Sequence, residues 1–136
     1  MAARTSHDQW LRQVRREACS AFISECAAQW RALGIALDRI ARGYPAEGAS
    51  LLAQIRFDEA ESRLGTVKLE ASLAFVEKAE AMVDTLREVH RRAGTLVDDD
   101  LRSEGELWND VQAISRRRTG DVVMAELIEV ARQSLN

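Results

Sequence analysis

The chain has 136 residues, 46% of them hydrophobic and 30% charged, with a formal net charge of -3. That length supports one core without disulfide or metal staples, and that mixture belongs to a folded chain rather than a disordered one. One proline and seven glycines are too few for the corners of an all-β fold, and the acidic balance disfavours a dedicated nucleic-acid binder.

No stretch approaches the roughly 20 consecutive apolar residues of a membrane span. Met1 to Trp10 carries Arg4 but no apolar run behind it, so it does not read as a secretory signal. No membrane association is expected, and a cytoplasmic location is the default.

Residues 1–6 are expected to be disordered, with a first helix beginning after Ser6. Ser6 and Gln9 have capping-box spacing, and Asp8 suits the first turn. Apolar positions then run Leu11, Val14, Ala18, Phe22, Cys26, Trp30, Leu33, Leu37 and Ile40 in steps of three and four, widened by Cys19 and Ile23. So wide a stripe faces a core. Gly43 suits the residue just past the helix, and Pro45 enforces the stop. Cys19 and Cys26 sit about 10 Å apart along this helix, beyond the roughly 7 Å a disulfide spans. They read as small buried side chains.

The second helix is expected from about Glu47 to Leu64, with Gly65 as its cap. Thr66 to Ala71 then reads as a connector that tucks Val67 and Leu69 inward. The third helix starts with Ser72 as N-cap and carries Phe75, Ala79, Met82, Leu86, Val89 and Ala93 in 4-3-4-3-4 steps, ending near Gly94. His90 continues an adjoining stripe from Val76 and Val83, and a carboxylate such as Asp84 or Glu88 is its expected partner. The fourth helix starts near Ser103 and is read as one long helix, weakened but continuous through Gly120.

Four amphipathic helices with short connections predict an all-α fold, an antiparallel four-helix bundle with long first and last helices, forming a single domain over residues 1–136. The first and last helices exceed what the bundle needs. Their overhanging apolar ends predict burial against a second copy.

Chemistry is sparse. A di-iron bundle needs Glu-x-x-His pairs, yet the residue three before His90 is Arg87. The spacing of Cys19, Cys26, His7 and His90 matches no clustered zinc site, so no metal or cofactor is expected. The isolated glycines form no phosphate loop, and Asp98, Asp99 and Asp100 lack the alternating EF-hand pattern. No catalytic residue is assigned.

Two arginine clusters, Arg12, Arg15 and Arg16, and Arg116, Arg117 and Arg118, stand out as interaction candidates, together with Trp10 and Trp108. Residues 1–45 sum to +3 and residues 73–100 to -3. Pairing of a basic first helix with an acidic third one, within the chain or across a dimer, is the expected use of that asymmetry.

The stretches Trp10-Leu11-Arg12, Arg15-Arg16-Glu17-Ala18 with Phe22, Val67-Lys68-Leu69-Glu70 leading to Leu73, and Ala79-Glu80-Ala81 resemble a loose group of small helical proteins of high-GC bacteria. The resemblance implies an all-helical fold with a connector before Ser72. That group has no assigned reaction, so it implies no site residue.

The expected function is a non-enzymatic helical protein–protein interaction module, an adaptor, regulator or small inhibitor acting as a homodimer. A first alternative is a small enzyme or ligand-binding protein with an inter-helix pocket near Cys19, Cys26, Met82 and His90. A second is nucleic-acid binding through the arginine clusters. Expected partners are a second copy and another protein.

Overall fold

The computed structural model describes residues 2–98, 104–116 and 119–135. All regular structure among them is helical: α1 (Ala2–Ala41), α2 (Pro45–Gln54), α3 (Asp58–Glu70), α4 (Leu73–Asp98), α5 (Glu104–Arg116) and α6 (Thr119–Leu135). The all-α expectation holds. No described helix is long and apolar enough to cross a membrane.

Helix α1 already runs from Ala2 rather than from Ser6, and its 40 residues span about 60 Å. It ends where expected. Gly43 has φ 90°, Tyr44 N–H donates to the Arg39 carbonyl at 2.9 Å, and Gly43 N–H donates to Ile40 at 3.1 Å. These are the paired bonds of a Schellman cap, which needs a left-handed residue at this point. Pro45 then opens α2, where its missing N–H costs nothing.

The expected second helix is two helices. Ile55 is extended at ψ 121°, and the chain restarts at Asp58. Tertiary partners hold the break open. The Leu52 carbonyl accepts from Ile55 N–H at 3.2 Å and from the His90 ring at 2.9 Å, and the Arg56 carbonyl accepts from Gln29 Nε2 at 3.0 Å. Asp58, Glu59 and Glu61 place three carboxylates in the first turn of α3, where the helix dipole favours them.

The expected connector at 66–71 is helix. Helix α3 continues through Gly65 to Glu70, and the helical period decides which side chains turn inward. Ala60 and Val67, seven residues apart, are fully buried, whereas Leu69 is 84% exposed instead of tucked in.

Helix α4 begins as expected: Ser72 Oγ accepts the Phe75 N–H at 3.3 Å. Its buried positions are Phe75, Ala79, Met82, Val83, Leu86, Val89 and Ala93, and the rhythm carries on past Gly94 to Leu96. The expected fourth helix corresponds to α5 and α6, and the chain is helical through Gly120; residues 117–118, where the two would join, lie outside the described residues. Gly120 lies in the first turn of α6 and is buried against Trp30 of α1.

The order of side-chain partners fixes the run of the helices. Helix α2 folds back on α1 with Gly48 against Ile40, and α3 follows it, with Arg63, Thr66 and Glu70 beside Val14, Ala18 and Ala21. Helix α4 runs opposite to α3, through the ion pairs Arg87–Glu61 and Lys68–Glu80. Helix α5 lies beside Arg91 to Leu96, and α6 reaches back to Lys78 through Glu126 at 2.9 Å. One apolar cluster joins them, with Phe22, Cys26, Leu33, Ile40, Val67, Phe75, Met82, Leu86 and Leu127 fully buried. Phe22 and Phe75 meet edge to face at 6.2 Å.

Candidate interaction surface

Helix α1 outruns its neighbours. Phe22 meets Phe75 near the start of α4, and Val14 and Glu17 lie beside Glu70 at the end of α3. The first buried residue described in α1 is Ala18, whereas Ser6 to Trp10 are all exposed. About a dozen residues ahead of Val14, some 18 Å of helix, therefore project as an arm, with Arg15 and Arg16 at its root.

The inward stripe of Cys26, Phe22 and Ala18 continues into the half-buried Val14 and Leu11, and the positions beside it carry Arg15 and Arg12. Arg12, Arg15 and Arg16 are exposed, and none makes an ion pair among the described residues. Trp10 is 59% exposed and stacks on His7 with ring centroids 5.9 Å apart. Four of the interaction candidates are thus exposed close together, Trp10 and Arg12 on the arm and Arg15 and Arg16 at its root beside α3.

Two further features lie at the same end: the exposure of Leu73 and Leu69, and the side on which the acidic helix expected from the sequence carries its charge. Leu73, at the first position of α4, is 73% exposed, and Leu69 precedes it at the end of α3. Beyond Leu73, the exposed side of α4 carries Glu77, Glu80 and Asp84. Glu80 lies 3.9 Å from Lys68, whereas Glu77 and Asp84 make no ion pair among the described residues. The signal for this acidic side was present in the phase of the Phe75–Ala79–Met82 core stripe. Basic α1 and acidic α4 do not pair with each other among the described residues.

Trp108 and Arg116 belong to α5, but their side chains lie outside the described residues, as do Arg117 and Arg118 altogether. Nothing places that second arginine cluster.

The residues of the alternative pocket line none of the grooves described below. Cys26 and Met82 are fully buried in the apolar cluster, and Cys19 nearly so. Burial pushes the Cys19 thiol up. For Cys26, burial foremost and the neighbouring Glu25 charge push it up to about 12. Both therefore stay protonated and unreactive near neutrality. His90 is about 12 Å along α4 from Met82. Its ring donates through Nε2 to the Leu52 carbonyl and meets Phe57 edge to face at 5.3 Å. The expected carboxylate partner is corrected: a backbone carbonyl holds His90. Glu88 instead accepts hydrogen bonds from Arg91 and Arg92, which lower its carboxyl to about 2.

Open grooves lie elsewhere. One of about 340 Å³ runs between α1 and α3, and one of about 260 Å³ between α4 and α5. Neither is lined by Cys19, Cys26, Met82 or His90. Among the described residues no group of three or more His, Cys, Asp or Glu side chains is arranged to hold a metal ion. Compared with protein-family models, curated proteins and solved structures, the chain matches none of them.

Proposed function

We propose that the protein is a non-enzymatic helical interaction module of the cytoplasm that acts as a homodimer and engages another protein as an adaptor, regulator or small inhibitor. Its body is an antiparallel four-helix bundle in which α2 with α3 serve as a broken second helix and α5 with α6 as the fourth. The observation that carries this reading is the arm of α1. The arm carries an exposed tryptophan and, with its root, three exposed arginines, and it has few tertiary contacts of its own, whereas helices in proteins draw most of their stability from packing. Tryptophan and arginine are the residue types that most often dominate binding energy at interfaces. Two free, buried cysteines fit a reducing compartment.

Sedimentation velocity of the full chain at micromolar concentrations tests this. A species of twice the 15.2 kDa chain mass is expected. A monomer throughout that range overturns the homodimer. Labelled duplex DNA added at low salt is expected to remain unbound. Binding that falls steeply with salt transfers the arginines to a phosphate backbone and overturns the protein-module reading.

A further inference from the structure

Resting on the homodimer reading, we infer that the arginine arm of α1 docks on the acidic outer side of α4 in a second copy of the chain. Three observations converge. The arm and its root present Arg12, Arg15 and Arg16 without ion partners, and α4 presents Glu77 and Asp84 without them, among the described residues. The lengths agree: the arm covers some 18 Å, and Leu73 to Asp84 covers about 16 Å of helix. Both surfaces lie at the same end of the molecule, where α1 enters beside the end of α3 and α4 begins.

That last point selects the occupant. A two-fold dimer brings the same patch of both chains together, so each arm must find its complement on the partner's copy of that patch. With base and acid at one end, two chains meeting end to end satisfy both contacts at once. Arm against arm would set arginine against arginine. The flanking apolar side chains, Trp10 at 59% exposure with Leu69 and Leu73, supply area to bury beside the charged pairs. Charge then sets orientation, and apolar burial supplies affinity.

The experiment is a charge swap in the full chain, read by sedimentation equilibrium. The first variant carries Arg12→Glu, Arg15→Glu and Arg16→Glu. The second carries Glu77→Arg and Asp84→Arg. All five positions are exposed, and circular dichroism confirms that each variant keeps the helical content of the wild type. Each variant alone is expected to self-associate at least tenfold more weakly than the wild type, because each contact now opposes like charges. An equimolar mixture is expected to restore a dimer of near wild-type affinity, since both contacts in the mixed pair are again complementary. A wild-type dimer with either variant undiminished, or a mixture that stays monomeric, overturns the docking while leaving the homodimer standing. A monomeric wild type overturns both.

Discussion

Trp30 and Gly120 show how much one hydrogen atom decides. The six-membered ring of Trp30 lies over the backbone of Gly120, and a Cβ built there would overlap three of its ring atoms. The indole N–H donates to Asp121 Oδ1 at 2.9 Å. Gly120 is therefore the place where α6 closes onto α1. Gly94, also helical, has nothing within 4 Å of an added Cβ. The two substitutions should differ in sign. Gly120→Ala is expected to cost about 1–3 kcal/mol through overpacking, whereas Gly94→Ala is expected to gain about 0.5–1 kcal/mol from helix propensity and a less free unfolded chain. Urea titrations of both variants check this. Two losses of equal size would contradict it. Cys26 gives a second expectation at this scale. Its pKa, pushed up to about 12 from 9.0, contributes stability that is present below pH 9 and lost as pH rises towards 12. Its thiol should accordingly resist alkylation in the native protein at pH 8 and react promptly once unfolded.

The lesson about legibility sits at the scale of elements. The core stripes of α1 and α4 follow from steps of three and four along one helix, so Phe22, Cys26, Phe75 and Met82 could be placed from sequence. The Gly43 cap and the Ser72 N-cap were also readable, because their hydrogen bonds lie within a few residues. The break at 55–57 was not readable, since its carbonyls are satisfied from α1 by Gln29 and from α4 by His90. Val67-Lys68-Leu69 alternates like a strand, and only the continuing phase from Ala60 turns Val67 in and Leu69 out. Of the surface candidates, the arginines of α1 could be named, but their lack of partners could not. That depends on where α3 ends and α4 begins. The break makes a prediction of its own. His90→Ala removes the donor to Leu52 and the edge contact with Phe57, and is expected to cost about 1–3 kcal/mol. His90→Gln, which keeps an N–H donor, should recover part of that in thermal melts. Equal loss in both would show that the hydrogen bond contributes nothing.

Across the whole molecule, a modest net charge of -3 covers an uneven distribution. Many ion pairs among the described residues are exposed and local, such as Arg42–Asp38 and Arg63–Glu59, and each stabilises the monomer by no more than about 1 kcal/mol. Among the described residues, the charges without ion pairs include an arginine group at the start of α1 and an acidic pair, Glu77 and Asp84, on the outer side of α4. A dimer joined there should weaken as salt rises, since exposed charge pairs are screened beyond about 10 Å at 0.1 M. Hydrogen exchange of the full chain, followed along the backbone from Ser6 to Arg16 at a high and a low protein concentration, probes the arm most directly. If a second copy covers it, these amides are protected at high concentration and lose that protection on dilution, while those around Phe22 and Phe75 stay protected at both. Equal exchange from Ser6 to Arg16 at the two concentrations would contradict a covered arm.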